Sequence, residues 1–285
     1  MQSKNPVFAR SEGFNGRGSA TTASPASWKI DLDGAAGGPE APIGTTDATR
    51  MSISSVIEKT AISLGLVVVA AAITWFATGD LDPGNPDAGR NTALLGGLLM
   101  VGIFGGLALS MVNSFKKVVS PPLVLAFAAL QGVLVGALSK MIAFYIVGDP
   151  SIVFQAVLAT FVAAGATLAA YKFFNIQVTD KFRKVMTIAL VSVFGIMLVN
   201  FGLSMFGVLE QGGLRGFNTL GLVVSIGLAV LAIFTLIMDF DMVERGIEAG
   251  LPERESWRAA FGLTVTLVWL YIELLRILAI FASSD

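Results

Sequence analysis

Residues 217–238 read FNTLGLVVSIGLAVLAIFTLIM, a run without a single charged side chain. As a helix rising 1.5 Å per residue it is long enough to cross about 30 Å of hydrocarbon. Its hydropathy is continuous rather than alternating, so it does not read as a strand of a membrane barrel. Backbone polar groups in lipid must be satisfied within the segment, which leaves the helix as the economical choice. Directly after the run stands Asp239-Phe240-Asp241-Met242-Val243-Glu244-Arg245.

Six further runs of the same kind lie on either side, at 61–78, 92–114, 122–146, 151–171, 185–207 and 259–281. Charged side chains inside the runs are confined to Lys140 in the third and to Glu273 and Arg276 in the seventh. Turn chemistry separates them: Asp82-Pro83-Gly84-Asn85-Pro86, Ser120-Pro121-Pro122, Gly148-Asp149-Pro150 and Gly250-Leu251-Pro252. The expected fold is therefore an all-α integral membrane protein, a seven-transmembrane-helix bundle spanning residues 51–285, preceded by a disordered tail over residues 1–50. That tail is rich in Gly, Ser, Ala, Thr and Pro, and cannot bury enough surface to offset its ordering entropy. No apolar stretch of signal-peptide type precedes residue 61. Phe8, Phe14 and Trp28 stand isolated in the tail, as contacts for a partner or as residues loosely docked on the protein itself.

Composition agrees. Of 285 residues 54% are apolar and 14% charged, against about 25% charged in soluble domains. Nineteen Lys and Arg against 20 Asp and Glu exclude a basic nucleic-acid binder. The chain has no Cys and no His. That removes disulfides, His-based metal sites, His proton shuttles and Ser-His or Cys-His nucleophiles, so no enzyme and no cofactor are expected.

Orientation is read from Lys and Arg. With the N-terminus in the cytoplasm, the inner segments hold fifteen: Lys4, Arg10, Arg17, Lys29, Arg50, Lys59, Lys116, Lys117, Lys172, Lys181, Arg183, Lys184, Arg245, Arg254 and Arg258. The outer segments hold three, Arg90, Lys140 and Arg215. The positive-inside rule then places the N-terminus in the cytoplasm and the C-terminus outside.

Small residues recur at four-residue spacing in the second run (Gly102, Gly106, Ser110, Ser114), the third (Ala128, Gly132, Gly136) and the fourth (Ala156, Thr160, Ala164). They suit close helix contact, either within one bundle or along a pore or dimer seam. The candidate chemistry lies elsewhere. Asp239 shares a face with Ser225, Ala232 and Thr235 and is expected to face the bundle. Asp241 shares one with Val230, Phe234 and Ile237 and is expected nearer lipid or the interface, able to pair with Arg245 one turn on. Glu273 and Arg276 are three apart and can pair on one helix face; Arg276 can also snorkel to anchor the outer end. Counting from the turn at residue 252, Thr266 falls level with Asp239, and Glu273 lies ~10 Å further out. Gln131, Asn113 and Asn200 are polar groups that line a cavity or bridge helices.

These residues resemble the Bax inhibitor / YccA family, the transmembrane Bax-inhibitor-motif proteins, over roughly residues 55–281. The resemblance is carried by the seventh helix, by Leu236-Ile237-Met238-Asp239-Phe240-Asp241-Met242-Val243 and by Gln131-Gly132. The tail's Asn5-Pro6-Val7-Phe8-Ala9-Arg10-Ser11-Glu12-Gly13-Phe14 and the block from Glu255 to Thr266 look like one bacterial branch. The resemblance implies a central last helix and a pH-sensitive calcium leak in which a helix-six Asp and a helix-seven Asp share a proton and latch the pore. It also implies a bacterial plasma-membrane location and, as the alternative activity, a binding regulator of a membrane protease or other membrane complex. Position by position, the helix-six Asp falls on Asp239, the helix-seven Asp on Thr266 and a family Glu on Gln131. Two of three carboxylates are thus neutral here, which bears on pH gating. The expected partners are the lipid bilayer, calcium ions and a membrane protease, and no nucleic acid. The candidate ion-path or gating set is Asp239, Asp241, Thr266, Glu273, Arg276 and Gln131.

Overall fold

A computed structural model describes residues 50–174 and 176–283. The expected tail contacts Phe8, Phe14 and Trp28 lie outside the described residues. Seven long helices follow in order: α1 (Ile53–Ala77), α2 (Ala88–Phe115), α3 (Pro121–Ile142), α4 (Ser151–Phe173), α5 (Asp180–Met205), α6 (Thr219–Glu248) and α7 (Glu255–Ala282). All seven are long and apolar enough to cross a membrane. The protein is an all-α integral membrane protein.

The helix ends follow local chemistry. Ser52 and Ser55 form a capping box, so α1 begins at Ile53, two turns ahead of its apolar run. Pro at the first positions opens α3, where a missing N–H costs nothing. Beyond Ile142, α3 continues as a short π-helical turn, Ala143–Val147, and stops at Gly148, whose φ of 77° lies in the left-handed region. Asp149 then accepts from the Ser151 hydroxyl at 2.6 Å and the Ser151 N–H at 2.8 Å. Those bonds, the hydroxyl's first, hold its carboxyl below the usual carboxylate range. Thr179 caps α5 and Asn218 caps α6 through their side-chain oxygens.

The last helix is central. α7 packs against α1, α3, α4 and α6, while α2 lies on α3 and α5 touches α6 only lightly. Close approach is made where glycine allows it. A Cβ on Gly132 would lie 2.5 Å from the Val67 carbonyl oxygen, and one on Gly136 would lie 2.5 Å from that of Ala71, so α3 sits directly on the α1 backbone. A Cβ on Gly102 would meet the Leu134 backbone at 2.8 Å. These ridges of α2 and α3 are therefore spent on packing within the bundle. Ala156 of the α4 ridge lies in a core cluster with Tyr271, Leu275 and Ala279 of α7.

One end of the bundle carries most of the basic groups and is laced together by them. Lys59 pairs with Glu253 at 2.6 Å, and Arg258 donates to the Lys117 carbonyl at 2.9 Å. At the other end Lys140, only 3% exposed, donates to the Trp75 carbonyl at 2.7 Å, to the Thr78 hydroxyl at 2.8 Å and to the Gly79 carbonyl. A cation thus closes the C-terminus of α1, where helix carbonyls lack partners. A crevice of about 370 Å³ between α1, α3, α4 and α7 is walled by residues such as Val67, Trp75, Val157 and Tyr271 and contains no charged side chain.

Candidate functional site

Three buried or part-buried acids, Asp241, Asp239 and Glu273, stand with their partners along the seam between α6 and α7, in three levels. The first is at the end that carries the α6–α7 turn. Asp241 is 7% exposed and pairs with Arg183 of α5 and with Arg245 Nε at 3.0 Å. Arg245 also donates to the Val178 carbonyl at 3.1 Å, and Tyr171 of α4 donates to Glu244 at 2.5 Å. Asp241 pairs with Arg245 one turn on, and of its two expected positions, nearer lipid or at the interface, the lipid-facing one is corrected. Arg183 reaches across from α5 and encloses it, because a carboxylate facing hydrocarbon is costly while one held by two guanidiniums is not.

The second level holds Asp239 and Thr266. The Thr266 hydroxyl donates to Asp239 Oδ2 at 2.6 Å. Thr266 is 3% exposed and Asp239 part-buried. One turn along α7, Gly262 leaves the helix bare beside the other oxygen: a Cβ there would lie 3.9 Å from Asp239 Oδ1. Among the described residues no Lys or Arg nitrogen lies within 4.0 Å of this carboxylate.

The third level lies seven residues further along α7. Glu273, 1% exposed, accepts two hydrogen bonds from Arg215 Nη1, at 2.7 Å and 2.8 Å, and one from Trp269 Nε1 at 3.3 Å. Arg276, 6% exposed, donates to the carbonyls of Arg215 and Gly216 and to the Ser225 hydroxyl, with its guanidinium 4.7 Å from the Phe217 ring centre. The expected Glu273–Arg276 pair and the snorkelling of Arg276 are both corrected. The connection between α5 and α6 is folded onto α7, and its bare carbonyls take Arg276 while its own Arg215 takes Glu273.

Gln131 stands apart from this set. Its amide lies on α2, where a Cβ on Gly106 would come within 2.9 Å of Nε2, and no hydrogen bond links it to Asp239, Thr266 or Glu273. Asn200 bridges α5 to the connection by accepting from the Leu214 N–H at 2.8 Å, and Asn113 bridges α2 to α3 by donating to the Leu123 carbonyl at 3.2 Å. Arg183 and Arg215, the partners of the two buried carboxylates, were not singled out from sequence. The signal available was the carboxylates themselves, since a buried acid requires a cation from some neighbour.

Among the described residues no three acidic side chains gather into a metal-binding group. The seam instead offers single carboxylates in sequence, with a hydroxyl between them. Hard cations accept such oxygen donors, and sparse donors hold them weakly.

No curated protein matches the chain. The family described as Bax inhibitor 1 like matches residues 5–283, which takes in all seven helices and every residue of the seam. The chain belongs to the Bax inhibitor 1 like family.

Proposed function

We propose that this membrane protein lets a cation, calcium by preference, leak along the α6–α7 seam. One observation carries the reading: Asp239 is a carboxylate turned into the seam whose hydrogen-bond partner is a neutral hydroxyl, while the acids on either side of it, Asp241 and Glu273, each hold an arginine. A bare intramembrane acid is expensive, and a passing cation is what would compensate it. The family resemblance supports calcium and a bacterial plasma-membrane setting, and the distribution of Lys and Arg supports an N-terminus in the cytoplasm with the C-terminus outside. In the family picture two acids share a proton at this level. Here Thr266 occupies the second position and has no proton to give up at physiological pH, so the leak lacks the shared-proton latch.

Purified protein in sealed vesicles with an enclosed calcium dye tests the proposal. Flux above that of empty vesicles is expected, and Asp239→Asn should lower it. No flux above empty vesicles anywhere between about pH 5 and about pH 8, a range that spans the titration of buried carboxylates, would overturn it.

A further inference from the structure

The segment between α5 and α6 is built as more than a link. Asn200 holds it to α5 through the Leu214 N–H at 2.8 Å. Gly213 turns there with φ of 59°, and a Cβ on it would strike Asn200 Oδ1 at 2.6 Å. On the other side the Gly216 carbonyl lies against the first turn of α6, where a Cβ on Gly221 would come within 1.8 Å of its oxygen. Two α7 side chains complete the hold, Glu273 gripping Arg215 and Arg276 gripping the carbonyls of Arg215 and Gly216. Gly216 is buried and Arg215 part-buried, so the segment enters the end of the bundle rather than crossing over it. The helix that leads into it is loosely seated. α5 makes few contacts with α6, and its polar ties are at its two ends, Arg183 to Asp241 and Asn200 to Leu214.

We infer that the α5–α6 connection is a plug: Arg215 locked onto Glu273, with its backbone pinned by Arg276, closes the outer end of the α6–α7 seam, and release of Arg215 from Glu273 opens that end to water. The position suits the role. The Arg215–Glu273 pair stands seven residues along α7 from Thr266, ~10 Å beyond the Asp239 level, on the only side of that level not already covered by the α6–α7 turn. The pair joins a bundle helix to a segment whose parent helix can shift without unpacking α7. As a gate the plug rests on the leak proposed above; as a closure it does not.

The absence of Cys from the chain gives a direct test. Thr266→Cys places a sole thiol in the seam. The full-length protein in sealed vesicles of one orientation is treated with a membrane-impermeant methanethiosulfonate reagent from the side of the α5–α6 connection. Labelling of Thr266→Cys alone should be slow. Adding Arg215→Gln should speed it by about tenfold or more, the order expected when a buried ion pair is removed from a closed state. Glu273→Gln, which keeps the shape and one acceptor, should give a smaller increase, and the exchanged pair Arg215→Glu with Glu273→Arg should restore slow labelling. Unchanged labelling in both single variants overturns the plug; if Arg215→Gln does not fold, Glu273→Gln decides alone. Fast labelling of Thr266→Cys with both charges intact overturns it as well. Flux and access separate the two ideas: faster labelling with no calcium flux supports the plug and removes the leak, whereas calcium flux with unchanged labelling removes the plug alone.

Discussion

Thr266 of α7 donates its hydroxyl proton to the Asp239 carboxylate of α6 across 2.6 Å, at a level where the described residues supply no Lys or Arg. A hydroxyl in that place steadies the acid without competing for its charge. The seam is thereby graded. Arginines pair with the acids at both ends, and the acid in the middle has a neutral hydroxyl instead. A cation moving along it would exchange its waters for one carboxylate at a time.

If the seam conducts as proposed, Thr266→Asp should make its flux more steeply dependent on pH. The substitution sets a second carboxylate within hydrogen-bond reach of the first. Two such groups cannot both ionise cheaply, so they bind and lose a shared proton as a pair. With both ionised, repulsion loosens the seam; with one proton shared, the pair bridges α6 to α7. Vesicle flux in this variant should fall as pH is lowered from about 8 to about 5, while the parent stays flatter over the same range. Equal pH profiles for the two proteins would show that the level of Thr266 does not gate.

Lys140→Met should destabilise the protein without touching the seam. Three oxygens at the end of α1 depend on that ammonium, and Met leaves them facing apolar side chains. Bonds to a charged donor contribute about 1.5–3 kcal/mol each when the partner is buried, though the losses overlap and do not add. The melting temperature in detergent should drop by several degrees, and Lys140→Arg should recover part of the loss. A melting curve identical to the parent's would mean that the α1 end finds other partners.

The helices were legible because each one declares itself within its own sequence. Every apolar run falls on a helix, and the turn residues at Pro83, Pro121, Pro150 and Pro252 mark real breaks. Helix ends were less legible, because a polar turn outside the bilayer carries no hydropathy signal. α1 starts at Ile53 rather than at 61 because Ser52 and Ser55 cap it, and α6 runs on to Glu248 through its acidic end. Asp239 and Thr266 were placed level by counting from one short turn, which fixes depth in an antiparallel pair. The partners of Asp241 and Glu273 were out of reach. Each lies 58 residues away, on α5 or the segment after it, and which face of a distant helix meets an acid is decided by packing of the whole bundle. Spacing within α7 made Arg276 available to Glu273, but availability on one helix says nothing of stronger claims from a neighbouring backbone.

Asp241→Asn should free α5 at its N-terminal end. The natural carboxylate holds Arg183 and Arg245 together while nearly enclosed, and an amide leaves two guanidiniums without their shared counter-charge. Breaking one member of a buried pair costs about 3–5 kcal/mol, less here because both arginines are partly exposed. Local opening should show as faster tryptic cleavage at Lys181, Arg183 or Lys184, in the first turn of α5. Cleavage at the parent's rate, with Asp241→Asn folded, would mean that α5 is seated by contacts other than this cluster.

Gly136→Val should separate α1 from α3. A Cβ at Gly136 already meets the Ala71 carbonyl oxygen at 2.5 Å and the Ala71 Cα at 2.9 Å, and both belong to backbone that cannot swing aside. Alanine forces a shift of the two helices and valine a larger one. Overpacking of this kind costs about 1–3 kcal/mol, with valine at the upper end or beyond. The matched control is Gly165→Ala, where a Cβ meets nothing within 4 Å and stability should be unchanged or slightly raised. Because α3 and α1 both rest on α7, the Gly136 variants should also move Tyr271 and weaken its 2.7 Å bond with Ser139, lowering the melting temperature beyond the local clash. If Gly136→Val and Gly165→Ala melt alike, α1 is not held on the α3 glycine ridge, and the close backbone contact described for that seam is wrong.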